Sequence, residues 1–250
     1  MANLPIKIVI PARYGSSRLP GKPLLQLCGK PMFWHVAQQA VKAGFSLEDI
    51  IIATDDQRIL DAAKFCDVPA ILTNVEHASG TDRLHEVSQK MNWPPETIVI
   101  NVQGDEPLIP PKLIEDLRDF VISKAQFDIY TVMSPLTSID DLNNPNVVKV
   151  AQGENYSAVY FSRSPIPFHR DDPDSISNKY RHIGIYAYSV ASLSKFCCYP
   201  ESALEKIEKL EQLRALSNGM SIGVICFNEA LPHGIDTEQD YINVKKVMEE

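Results

Sequence analysis

Apolar runs and helical spacings alternate through the first half of the chain. Ile6 to Ile10 is a short apolar strand, and Ile50-Ile51-Ile52-Ala53-Thr54 and Thr97-Ile98-Val99-Ile100-Asn101-Val102 are two more. None shows the apolar–polar alternation of a half-exposed strand, so each is expected to be covered on both faces. Pro31 to Ala43 has apolar residues at helical spacing, with a proline near its start and Gly44 just beyond its end, which predicts a helix. Further helices are predicted through Ile59–Phe65, Leu84–Met91 (with Ser79-Gly80-Thr81-Asp82 as its capping segment) and Leu117–Val121, and strands at Ala70–Thr73 and Ile129–Met133. This βα alternation implies a mostly parallel sheet with helices on both faces.

The second half reads differently. Val147–Val150, Ala158–Phe161 and His182–Tyr188 suggest antiparallel or edge strands, separated by Ser164-Pro165-Ile166-Pro167 and a polar stretch from Asp171 to Asn178. Leu204, Ile207, Leu210, Leu213 and Leu216 recur at three-residue spacing and predict one helix, followed by a strand at Ile222–Phe227 and a helix through Tyr241–Val247. No repeat or linker divides the chain, so the second half is read as an elaboration of one nucleotide-binding domain.

With 250 residues, 44% of them hydrophobic, the chain can bury a full core. Its net charge of −8 argues against a nucleic-acid partner. No apolar run approaches the ~18 residues of a membrane span, and no basic leader precedes an apolar stretch, so no membrane role and a cytoplasmic location are expected. The cysteines Cys28, Cys66, Cys197, Cys198 and Cys226 show no C-x-x-C spacing and lie mostly in apolar contexts, which predicts buried, reduced thiols.

Against this acidic background one segment is locally basic. The strand Ile6–Ile10 runs into Pro11-Ala12-Arg13-Tyr14-Gly15-Ser16-Ser17-Arg18-Leu19-Pro20-Gly21-Lys22-Pro23-Leu24, with three cations among glycines, serines and prolines. Glycine lets backbone N–H groups approach an anion, proline restricts the loop, and Arg or Lys neutralises phosphate oxygens. The segment is not a Walker loop, because five residues separate Gly15 from Gly21 and Pro23 follows Lys22, and it has no G-x-G-x-x-G. A triphosphate cradle at the carboxyl end of a strand is the reading. A solvated surface loop is the plain alternative.

Two carboxylates could complete such a site. Asp105 follows the Thr97–Val102 strand in Gln103-Gly104-Asp105-Glu106-Pro107, at the same sheet edge as the basic loop, where it can serve Mg²⁺ or satisfy its own turn. Asp236, in Gly234-Ile235-Asp236-Thr237, reads by itself as a cap of the last helix.

Together with the basic loop and the Gln103–Pro107 turn, Asn144-Pro145-Asn146, Tyr160-Phe161-Ser162-Arg163, Arg181-His182-Ile183-Gly184-Ile185-Tyr186 and Leu210-Glu211-Gln212-Leu213-Arg214 resemble the 3-deoxy-manno-octulosonate cytidylyltransferases, across nearly the whole chain and in order. The resemblance implies a glycosyltransferase-A-like α/β fold with a mostly parallel central sheet and a smaller antiparallel lid or dimerisation region. It implies a single nucleotidyltransferase domain: a CTP-binding core over 1–133, a lid and homodimer region over 134–200, and sugar- and metal-site completion over 201–250. The activity implied is transfer of CMP from CTP to an eight-carbon acid sugar, with release of pyrophosphate, for lipopolysaccharide synthesis.

Carried over by position, Arg13, Ser16, Arg18 and Lys22 would hold the triphosphate, with Ser79, Gly80 and Gln103 on the cytidine side. Asp105 and Asp236 would be Mg²⁺ ligands, with Lys22 and Arg13 also catalytic, and Arg163, His182, Tyr186, Glu211 and Gln212 would meet the sugar. Departures such as Arg163-Ser164-Pro165-Ile166-Pro167-Phe168, where Arg-Ala-Thr-Ile-Pro-Trp is usual, cluster at the sugar end and leave open an 8-amino-3,8-dideoxy sugar. Two rivals differ in chemistry: a glycosyltransferase on this fold would release no pyrophosphate, and a nucleotide-sensing module would bind CTP unchanged.

Overall fold

A computed structural model describes residues 4–15, 19–77, 79–232 and 234–249. In chain order the elements of the first half are β1 (Ile6–Ala12), β2 (Gln26–Leu27), β3 (Lys30–Pro31), α1 (Met32–Lys42), β4 (Ile50–Thr54), α2 (Gln57–Phe65), β5 (Ala70–Leu72), α3 (Gly80–Lys90), β6 (Ile98–Asn101), α4 (Pro111–Ser123) and β7 (Ile129–Pro135). There follow α5 (Ile139–Asn143), β8 (Lys149–Gln152), β9 (Ala158–Ser162), β10 (Tyr180–Ser189), α6 (Val190–Cys198), α7 (Ala203–Glu208), α8 (Gln212–Ser217), β11 (Ile222–Cys226) and α9 (Glu238–Glu249).

The main sheet has the order β11-β7-β10-β6-β1-β4-β5, and β8 and β9 extend from β10. All strands on that path run one way except β10, which is antiparallel to both neighbours. The mostly parallel sheet is therefore as expected, and of the two readings of β10, antiparallel or edge, the first holds: it is antiparallel but central. Periodicity gave no hint of that, because a strand's neighbours are chosen by long-range pairing.

Burial explains the apolar runs. Ile8, Val9 and Ile10 are all fully buried, and successive residues enter opposite layers. Ile8, Ile10, Ile50, Ile52 and Ile100 pack with α1 and α4, while Val9, Ile51 and Val99 pack with α3, α6 and α8. A third, smaller cluster joins Leu27 and Met32 to Ile235 and Val244. It fastens α9 to the β2–β3 hairpin, and so brings the 234–237 segment beside the basic loop.

Two expectations are corrected here. The 204–216 stretch is two helices, α7 and α8, broken where Lys209 takes a left-handed φ of 53°. Leu210 and Leu213 are buried while Ile207 is 78% exposed, so the repeated leucines never formed one buried stripe. The cysteines are free thiols, but Cys28, Cys198 and Cys226 are exposed and Cys66 and Cys197 only half-buried. Cys226 ends the edge strand β11, where the side chain has no covering layer.

Candidate active site

The carboxyl ends of β1 and β6 lie side by side, because the two strands pair in parallel, Ile6 opposite Ile98 and Val9 opposite Asn101. Their following turns form one wall of a cleft of about 300 Å³ lined by Arg13, Lys22, Gly80, Gln103, Asp105 and Asp236, among others. Gly104 permits the approach: a Cβ there would stand 2.5 Å from the Pro11 carbonyl oxygen.

Lys22 is the centre of the cleft. Its Nζ donates to Asp105 Oδ2 at 2.6 Å, to the Ile235 carbonyl at 2.7 Å and to Asp236 Oδ1 at 3.4 Å. The backbone closes the same contact, with Ile235 N–H donating to the Asp105 carbonyl at 2.9 Å. Two acids 131 positions apart in the sequence thus meet on one ammonium. The capping work before α9 is done instead by Thr237 and Asp240, which exchange side-chain-to-backbone bonds at 2.8 and 3.2 Å. The Asp236 carboxylate also faces Lys22, a contact that its plain reading as a cap does not supply.

These oxygens suit a hard cation. Two carboxylates with a nearby carbonyl already receive one positive group, and an oxygen-only set with few protein ligands is what a phosphate-bound dication uses. Among the described residues no cluster of three or more His, Cys, Asp or Glu provides a self-contained metal cage. Beside Asp105, burial and then the Asp105 charge push the Glu106 carboxyl up to about 7.

Of the cytidine-side candidates, Gly80 and Gln103 line the same cleft and Ser79 adjoins it. Ser79 caps α3 through a capping box with Asp82, and Gly80 faces the cleft next to the Pro11 ring. Gln103 Nε2 donates to the Gly184 carbonyl at 3.1 Å. That carbonyl is freed because β10 breaks register with β7 between Ile183 and Tyr186. Thr131 Oγ1 donates to the Ile185 carbonyl across the same irregularity at 2.7 Å. A bulge here re-aims the side chains around it.

His182 and Tyr186 flank the bulge with ring centroids 5.3 Å apart. His182 Nε2 lies 3.0 Å from Thr131 Oγ1, and its ring meets Phe161 edge-on. Burial lowers its pKa to about 3, so the imidazole is neutral near pH 7, and burial raises the Tyr186 phenol so that it keeps its proton. Glu211 Oε2 accepts from Thr81 Oγ1 at 2.8 Å, while its Oε1 is buried without a hydrogen-bond partner, 3.9 Å from Arg214 Nη2. Burial raises the Glu211 pKa. Gln212 begins α8 and is buried.

The structure thus brings Arg13, Lys22, Gly80, Gln103, Asp105 and Asp236 into one cleft, with Ser79, Tyr186, His182 and Glu211 on elements adjoining it. Arg163 stands apart: its guanidinium donates to the carbonyls of Glu208, Pro145 and Lys209 at 2.6, 2.8 and 3.3 Å, stitching β9 to the α7 end. Ser16 and Arg18 lie outside the described residues.

Sequence reasoning missed Asp55 and Arg83. Asp55 directly follows β4, and its Oδ2 accepts from the fully buried Arg83 at 2.7 Å. An acid directly after a buried strand was the available signal.

Comparison with known proteins identifies the family and the fold. The profile of the cytidylyltransferase family matches residues 7–222. A 3-deoxy-manno-octulosonate cytidylyltransferase 2 from Paraburkholderia phytofirmans is 43% identical over 247 residues, covering 97% of this chain and 94% of the relative. A 3-deoxy-manno-octulosonate cytidylyltransferase from Nitrosococcus oceani is 44% identical over 251 residues, covering 97% and 96%. Among solved structures, a CMP:2-keto-3-deoxy-manno-octonic acid synthetase complexed with CTP superposes with a TM-score of 0.90 at 40% identity, covering 98% of each chain. A putative glucose-1-phosphate thymidylyltransferase from Bacillus anthracis shares the fold alone, with a TM-score of 0.64 at 16% identity over 98% of this chain and 96% of the other.

Proposed function

This chain belongs to the cytidylyltransferase family, and on that footing we propose that it transfers CMP from CTP to the anomeric hydroxyl of 3-deoxy-manno-octulosonate, releasing pyrophosphate. The observation that carries the reading is the meeting of Asp105 and Asp236 on Lys22 inside the cleft that Arg13 also lines.

Arg13 and Lys22 are the cations for the triphosphate, with Ser16 and Arg18 of the same loop carried over from the sequence. Gly80, Ser79 and Gln103 bound the cytidine side. His182, Tyr186, Glu211 and Gln212 belong to the sugar side, where a neutral imidazole, a protonated phenol and a half-satisfied carboxyl can exchange hydrogen bonds with hydroxyls. Asp105 and Asp236 would hold a magnesium ion, which when bound supplies positive charge against the phosphates.

The sugar hydroxyl attacks the α-phosphorus in line and gives up its proton to solvent, while the bond from the α-phosphorus to the oxygen bridging it to the β-phosphorus breaks and that oxygen leaves with pyrophosphate. Charge accumulates on the pyrophosphate as it leaves, so cations fixed beforehand lower the barrier without a covalent enzyme intermediate. Arg13 and Lys22 are positioned for this by the strand and turns behind them. The product is an activated sugar for lipopolysaccharide assembly, made in the cytoplasm, and the enzyme is a homodimer. No described helix is long and apolar enough to cross a membrane.

The test is pyrophosphate release from CTP and magnesium with the 8-hydroxy and 8-amino sugars supplied separately. Release with the 8-hydroxy sugar is expected; CTP bound but unchanged with both would overturn the transferase reading. Asp105→Asn is expected to remain folded by circular dichroism while transfer falls at least a hundredfold, about 2.7 kcal/mol of transition-state stabilisation.

A further inference from the structure

Tyr14 follows Arg13 and is held from two sides. The Arg58 guanidinium of α2 lies over its ring, with Cζ 3.4 Å from the centroid. The guanidinium is fixed in that plane by a fork onto Asp56, Nε to Oδ1 at 2.8 Å and Nη2 to Oδ2 at 2.6 Å. Asp56 is itself fixed, since Oδ1 also caps α2 by accepting from Arg58 N–H at 2.9 Å. From the other end of the loop Gly21 closes on the same residue. Its N–H donates to the Tyr14 carbonyl at 3.0 Å, and at its left-handed φ of +68° a Cβ would stand 3.1 Å from the Tyr14 ring. The first and last cations of the described loop, Arg13 and Lys22, are each next in sequence to a member of this contact.

We propose that Arg58 is a positioning residue for the triphosphate: through Tyr14 it fixes the spacing of Arg13 and Lys22 before nucleotide arrives. The proposal rests on the reading of those two cations as phosphate ligands. Arg58 acts at one remove, because its Nε and Nη2 fork onto Asp56 and its face lies against Tyr14. A planar guanidinium can both fork and stack, which an ammonium cannot do. The contact therefore depends on shape as well as charge.

Arg58→Ala, Arg58→Lys, Tyr14→Leu and the Arg58→Ala/Tyr14→Leu double variant separate the possibilities. Arg58 is more than half exposed, so its replacement leaves the core intact. Each single variant is expected to raise the KM for CTP three- to tenfold, with kcat at saturating CTP and the KM for the sugar within twofold of the original chain. The double variant should go no further than Tyr14→Leu alone. Calorimetric titration with CTP and magnesium, in the absence of sugar, should show the same ratios in Kd. Unchanged CTP affinity in Arg58→Ala overturns the proposal. So does full rescue by lysine, which would mean a diffuse charge effect, and so do effects that multiply in the double variant. Should the original chain bind CTP but release no pyrophosphate, the transferase reading fails while the Kd ratios still decide the role of Arg58.

Discussion

Lys22 is only 13% exposed, and its Nζ donates to Asp105 in the middle of the chain and to Ile235 and Asp236 near its C-terminal end. An ammonium so placed compensates two carboxylates and lines the cleft proposed to receive the triphosphate. Replacing it with alanine removes a cation from the transition state and leaves Asp105 and Asp236 as like charges in close company. Lys22→Ala is expected to cost about 3 kcal/mol or more, so that kcat/KM falls more than about a hundredfold in steady-state assays. His182 gives a different kind of prediction. Its folded pKa of about 3 lies below the unfolded value of about 6.5, so the unfolded chain binds the extra proton first. Stability from this group is therefore full above pH 6.5 and is lost progressively as pH falls toward 3. His35 and His85 shift the same way through burial and add to the trend. Urea midpoints should show His182→Gln losing about 2 kcal/mol less than the original chain between pH 7 and pH 5.

At the scale of elements, the site depends on how closely two parallel strands can end together. Gly104 faces the Pro11 backbone with no room for a methyl group, whereas a Cβ at Gly184 would meet nothing within 4 Å. Gly104→Ala should therefore destabilise by about 1–3 kcal/mol and reduce transfer at least tenfold, with Gly184→Ala as the matched control in thermal melts. The strands β1, β4 and β6 were legible because a run buried on both faces has no polar positions. Helix α3 was legible from its capping residues. What escaped was decided elsewhere in the chain. The β2–β3 hairpin is two residues a side, too short for any periodicity, and α6 lay unseen behind the end of β10. The α7–α8 break at Lys209 has no glycine to announce it, yet it sets the position of Glu211.

At the scale of the molecule, the 134–200 region carries large apolar side chains that the single chain does not cover: Val159 on β9 is 61% exposed and Phe168 72%. The proposed homodimer would cover them against a second copy. Equilibrium sedimentation should return twice the 28.0 kDa of one chain, and Val159→Asp combined with Phe168→Asp should shift the mass toward one.

The sequence by itself determined the βα alternation, the cationic loop at the end of β1, the acid after β6 and the family these motifs share, because each is a local pattern of residue types. Only the tertiary structure decided that β10 enters the centre of the sheet and that Asp236 meets Asp105 on Lys22. The physical reason is that both outcomes depend on packing between distant segments. Lys22 and Asp236 are 214 positions apart, and it is the burial of Ile235 and Val244 against Leu27 and Met32 that holds the last helix where the acid can reach the lysine.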